Sequence, residues 1–151
     1  MSVAQAHKDV FRRLYQEVWN DRKFEMIDQV IAKSHALGDP TMTGSAIGPD
    51  GYRRQVDRFL HAFPDLHFTV DDTVSEKDKL VVSWTVTGTH KGEFMGVLPT
   101  NKKISISGIT INEISNHKIL ESVVIWDALG LLHQFGVELP ARSEKRVAAH
   151  R

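Results

Sequence analysis

Apolar positions recur at helical spacing through the first third of the chain and then switch to every second residue. In "VFRRLYQEVWN", Phe11, Leu14, Tyr15 and Val18 fall on one stripe, which predicts a first helix with that side buried. Asn20-Asp21 interrupts the pattern, and Phe24, Ile27 and Ile31 predict a second helix. "SHALGDPTMTGSAIGPDG" is rich in Gly, Pro, Ser and Thr and reads as a loop with room for a short strand. Pro49 after Gly48 suits the first turn of a third helix, whose stripe is Tyr52, Val56, Phe59, Leu60 and Phe63. Pro64 ends it.

From there the period is two. "LHFTVDDTVS" and "KLVVSWTVTGTH" read as strands joined by a polar turn at Glu76 to Asp78. "KKISISGITINEI" and "KILESVVIWD" form a second pair, with Asn116 in the joining turn suited to the left-handed conformation. The loop "KGEFMGVLPTN" lies between the two pairs. A last helix from Ala128 to Phe135 stops at Gly136, in the position just past a helix end. Helices followed by consecutive strands predict an α+β layer fold, with helices on one face of an antiparallel sheet. Residues 1–137 read as one domain and 138–151 as a basic, flexible tail.

Composition narrows the function classes. Lys plus Arg number 19 and Asp plus Glu number 19, so overall charge gives no general attraction to nucleic acid or to acidic membranes. The absence of cysteine excludes disulfides, thiol nucleophiles and thiolate metal sites. No apolar run approaches the roughly 20 residues that span a bilayer. The N-terminal stretch also lacks the apolar core of a signal peptide, so the expected location is cytoplasmic. The histidines show neither His-x-His nor His-Glu-x-x-His spacing, and no metal site is expected.

The candidate chemistry gathers where the last strand meets the last helix. Strand alternation puts Asp127 on the same side as Val123 and Ile125, opposite Ser122, Val124 and Trp126. If the Val123 side lines a cavity, the carboxylate is partly desolvated and suited to general-base work. The competing reading is an N-cap, because "DALGLL" opens a helix directly after it. His90 ends the Trp84 face beside a loop and reads as a structural or a functional histidine. By residue type and position, Tyr15, Trp84, Phe94 and Met95 read as core or rim, and His35 and Asp39 as solvated loop.

Four stretches together resemble one family. "FRRLYQEVWN", "GPDGYRRQVDRFLHAFPDL", "VSWTVTGTHKGEFMGVLPTNKK" and "IWDALGLLHQFG" look like the SnoaL-like ester cyclases among the polyketide cyclases. The resemblance implies a nuclear transport factor 2-like fold, a cone of curved antiparallel sheet with helices over its open side. It also implies cofactor-independent aldol ring closure on a hydrophobic, polyketide-like ester, with Asp127 as acid–base and His90 as a second polar group. The implied pocket comprises Tyr15, His35, Asp39, Phe59, Trp84, Phe94, Met95, Val123 and Trp126. The implied partners are a small hydrophobic molecule and a second copy of the chain. Two departures stand out: Gly38-Asp39-Pro40 replaces the family's His-Asp-Pro, and Val123 stands where relatives often carry Trp. The same architecture hosts epoxide hydrolases, isomerases, dehydratases and non-catalytic binding or dimerisation modules.

Overall fold

The computed structural model describes residues 2–42 and 44–138, so the basic tail predicted over 138–151 lies, beyond Glu138, outside the described residues. Helix α1 (Val3–Phe11) is capped by Ser2, whose hydroxyl accepts the Gln5 N–H at 3.1 Å. It continues through Arg12–Asn20 in the wider π winding, visible where the Asp21 N–H reaches back five residues to the Gln16 carbonyl at 2.8 Å. Of the predicted stripe, Leu14, Tyr15 and Val18 are buried and Phe11 is half-buried, and Val10 and Trp19 turn inward beside them. Asn20 clamps the end of this segment to the sheet, its amide exchanging two hydrogen bonds with the Phe68 backbone at 2.8 and 2.9 Å.

The predicted second helix is a single turn, α2 (Ile27–Val30), after a 3₁₀ turn at Phe24–Met26. At Ile31 the chain becomes strand β1 (Ile31–Gly38), where the sequence pattern suggested a helix end and then a loop with room for a short strand. The reason is tertiary. β1 lies parallel to β6 (Lys118–Trp126), with Leu37 opposite Ser122, and local periodicity carries no trace of a partner that far along the chain. A two-residue β2 (Ala46–Ile47) leads into α3 (Gly48–Ala62), which ends just before Pro64 as expected.

The four predicted strands are β3 (His67–Glu76), β4 (Lys79–Thr89), β5 (Lys103–Ser115) and β6. Both hairpin turns use left-handed residues, Lys77 in the first and Asn116-His117 in the second. Sheet order is β2-β1-β6-β5-β4-β3, antiparallel except for β1 against β6. The α+β class and the open curved sheet are as predicted, with that one parallel pairing added. Helix α4 (Ala128–Gln134) closes the described chain, with Gly136 at φ 88° past its end. No described helix is long and apolar enough to cross a membrane.

Candidate functional site

Alternation decides which side chains meet the helices. On β4 the buried set is Leu80, Val82, Trp84 and Val86; on β5 it is Ile104, Ile106, Thr110 and Asn112. On β6 the inward set is Ser122, Val124 and Trp126, and on β1 it is His35 and Leu37, with Asp39 just beyond the strand end. Between this face, the π-wound segment Arg12–Asn20 and α3 lies a narrow cavity of about 60 Å³. Its walls are mostly aromatic and aliphatic: Leu14, Trp19, Phe59, Phe63, Phe68 and Trp84. Trp84 fits because Gly108 stands opposite it in the ladder. A Cβ on Gly108 would sit 2.4 Å from the indole edge.

Two polar clusters break the apolar wall. The first is built on Asp39, the one carboxylate among the described lining residues. Its Oδ1 accepts from the Thr41 N–H at 2.7 Å and the Thr41 hydroxyl at 2.6 Å. Its Oδ2 accepts from Gln55 Nε2 at 2.9 Å and Trp126 Nε1 at 3.0 Å. Four donors engage both oxygens, as suits a charged carboxylate that is only 8% exposed. Arg58 supports the arrangement from behind, donating to Thr41 Oγ1 at 2.9 Å while its guanidinium lies over the Phe94 ring.

The second cluster runs along β6 and β5. His35 Nε2 lies 3.0 Å from Ser122 Oγ, which donates to Asn112 Oδ1 at 2.9 Å. Trp84 Nε1 donates to Thr110 Oγ1 at 2.9 Å. Burial pushes the imidazole of His35 down to about 4, so it is neutral at pH 7. Burial raises the Tyr15 phenol, against the opposing pull of Asn112 and Thr110. Tyr52 is raised too, by burial and then by neighbouring Tyr15, although Trp19 donates to its oxygen at 2.8 Å.

Of the residues expected in the pocket, Tyr15, Asp39, Phe59, Trp84 and Trp126 line the cavity. Asp39 had read from sequence as solvated loop and is instead a buried hub. His35 is fully buried behind Ser122 and edge-on to Tyr52. Phe94 packs one layer back, against Phe59 and Trp126. Met95 is outside the wall, in an exposed turn with φ 52°. Val123 faces solvent on the outer side of the sheet, so a smaller residue there does not reshape the cavity.

The two residues expected to carry the chemistry lie elsewhere. Asp127 is exposed and caps α4, its carboxylate accepting the Gly130 N–H at 2.8 Å. The alternation was read correctly, but the Val123–Ile125–Asp127 side is the outer one, because Ser122, Val124 and Trp126 point at the helices. His90 is fully buried and stacked on Phe135 with ring centroids 4.0 Å apart, its Nδ1 accepting the Thr100 N–H at 3.2 Å. It pins the loop after β4, and burial lowers its pKa.

Sequence reasoning passed over Gln55, Thr110, Asn112 and Ser122. The signal was present in each: Gln55 falls three residues after Tyr52 on the buried side of α3, and the other three share the parity of buried apolar neighbours. Among the described residues no group of three His, Asp or Glu is placed to hold a metal ion.

The comparisons with known proteins agree with this architecture. Solved structures of similar fold include a proposed SnoaL-like polyketide cyclase from Jannaschia sp. CCS1, 18% identical with TM-score 0.81, covering 89% of this chain and 94% of that one. A proposed polyketide cyclase from Acidithiobacillus ferrooxidans is 28% identical with TM-score 0.77, covering 90% and 98%. IdmH, a proposed polyketide cyclase from Streptomyces antibioticus, is 26% identical with TM-score 0.74, covering 87% and 99%. No curated protein matches the chain. The family model described as SnoaL-like polyketide cyclase matches residues 9–135, and the chain belongs to that family.

Proposed function

We propose that the chain is a cyclase-type enzyme performing cofactor-independent acid–base chemistry on a hydrophobic carbonyl compound, with Asp39 in place of Asp127 as the proton-handling group. The observation that supports this is the position of the Asp39 carboxylate, alone among the described lining residues in carrying a negative charge at an aromatic cavity. In the reaction, a carbon beside an ester carbonyl loses its proton to Oδ2. Gln55 or Trp126 must release that oxygen for the proton to bind, because all its lone pairs are engaged at rest. The enolate carbon then attacks a ketone carbon of the same molecule. One C–C bond forms, the ketone π pair becomes an alkoxide, and the Asp39 acid returns the proton to it. Exclusion of water strengthens each of these polar contacts.

The test is turnover of β-keto esters that carry a second ketone placed for ring closure. Asp39→Asn should retain its circular dichroism spectrum and lose at least about 100-fold in turnover, the usual scale of one general acid–base group. Equal turnover in the two proteins removes Asp39 from the reaction. The narrow cavity and the fully engaged carboxylate favour a second reading, a small-molecule binding module. Tight binding of such esters by the wild type without any turnover would select it.

The outer sheet face supports assembly as a homodimer. Ile109 pairs with Ile125 and Ile111 with Val123, and all four side chains are exposed, beside Ser83 and Thr85 of β4. Contiguous exposed apolar surface of this kind is a recurrent mark of subunit contact.

A further inference from the structure

We infer that Arg58 is a positioning residue for Asp39: acting through the Thr41 hydroxyl, it holds Oδ1 as an acceptor and leaves Oδ2 as the oxygen that takes up a proton. The inference rests on the acid–base role proposed for Asp39 above.

The direction of this chain is fixed at both ends. Arg58 Nη2 lies 2.9 Å from Thr41 Oγ1 and, as a guanidinium nitrogen, only donates. The Asp39 carboxylate only accepts, and its Oδ1 lies 2.6 Å from the same hydroxyl. The single hydroxyl proton of Thr41 therefore belongs to Oδ1. Arg58 is itself held, its guanidinium 4.7 Å from the centre of the Phe94 ring and 5.4 Å from that of Phe59. Its Nη1 is buried and has no hydrogen-bond partner among the described residues. A direct arginine pair would engage both carboxylate oxygens. One intervening hydroxyl instead directs the charge to a single oxygen.

Taking up a proton turns one carboxylate oxygen into an O–H donor, which then needs an acceptor in front of it. Of the four groups that donate to Asp39, the Thr41 N–H and the Trp126 indole N–H can only donate. The Thr41 hydroxyl and the Gln55 amide each carry an acceptor as well, so these two can reverse. Arg58 opposes reversal of the hydroxyl, because a cationic donor on Oγ1 strengthens it as a donor and weakens it as an acceptor. Gln55 is under no such constraint from a cation in this chain, and its oxygen partner is Oδ2. Gln55 and Trp126 line the cavity whereas Thr41 does not, so the oxygen left free to take the proton is the one whose donors belong to the cavity wall.

The test follows the Asp39 carboxyl directly, by ¹³C NMR of protein labelled at the aspartate side-chain carboxyl and titrated with acid; Asp39→Asn assigns the signal. Removing a neighbouring positive charge disfavours the carboxylate, so the Asp39 transition should lie about one pH unit higher in Arg58→Met than in the wild type. Thr41→Val, which keeps the backbone N–H and loses the hydroxyl, should move it in the same direction. Thr41→Ser keeps the hydroxyl and should match the wild type. Adding Arg58→Met to Thr41→Val should displace the transition no further, since the group that carries the effect is already gone. Arg58→Gln serves the same comparisons where the methionine variant does not fold. An unmoved transition in Arg58→Met, or a double variant displaced beyond Thr41→Val, overturns the inference. In turnover of the β-keto esters, Arg58→Met should lower kcat about tenfold with KM unchanged, because neither Arg58 nor Thr41 lines the cavity. An Asp39→Asn protein as active as the wild type removes the reaction beneath the inference, and the carboxyl signals still decide the relay.

Discussion

Trp126 Nε1 donates to Asp39 Oδ2 across 3.0 Å, tying the end of the last strand to the loop after the first. Both groups are buried, so removing the donor strands one lone pair of a charged carboxylate. Trp126→Phe should cost roughly 1–3 kcal/mol in urea unfolding, the scale of an orphaned buried acceptor. It should also alter turnover more than it alters the circular dichroism spectrum. An unchanged urea midpoint would mean that the carboxylate finds another donor at no cost.

Asp127 provides the opposite expectation. As an exposed cap of α4 its removal should be felt in stability alone. Asp127→Ala is expected to lower stability by about 0.5–2 kcal/mol, and Asp127→Asn by less, since both Asp and Asn cap well. Turnover should match the wild type in both. A large loss of turnover in a folded Asp127→Asn protein would return this residue to the reaction.

His35 makes stability depend on pH. Its imidazole binds a proton near 6.5 in the unfolded chain and near 4 in the folded one. Between those values the unfolded state holds more protons, so acid favours unfolding. This contribution is complete above about pH 6.5, falls away as pH drops toward 4, and amounts to something on the order of 3 kcal/mol. His90 is shifted the same way by burial and adds to the trend. Urea midpoints at pH 7 and 4.5 should converge in His35→Gln relative to wild type. An identical slope in the two proteins would show that His35 is not the group responsible.

The outer face predicts a dimer at micromolar concentration by sedimentation. Ile125→Lys, placed opposite Ile109 at the centre of the apolar patch, should give monomer with an unchanged spectrum. A wild type that sediments as monomer would refute the assembly.

Much of this molecule is legible in its pattern of residues, and the illegible parts share a cause. The four long strands, α3 and the stop at Gly136 are local: alternation, Pro64 and a left-handed glycine specify them without reference to distant chain. β1 was misread because its partner is β6, nearly ninety residues away. The site suffered from a subtler ambiguity. Period two divides β6 into two faces with certainty but does not say which face meets the helices, and the more uniformly apolar face, Val123 and Ile125, is the exposed one. The inward face carries Ser122 because a hydroxyl there is satisfied by Asn112 and His35, contacts that exist only once three strands have come together.

The parallel seam between β1 and β6 also dictates when the hollow exists. Asp39 emerges early in synthesis, yet its partner Trp126 follows 87 residues later, so a ribosome must release nearly the whole described chain before the carboxylate is secured. Joining such distant segments is entropically slow. Until β6 arrives, the nascent chain holds an acidic loop and a greasy sheet without a binding chamber, and ligand affinity should appear as one of the last events of folding.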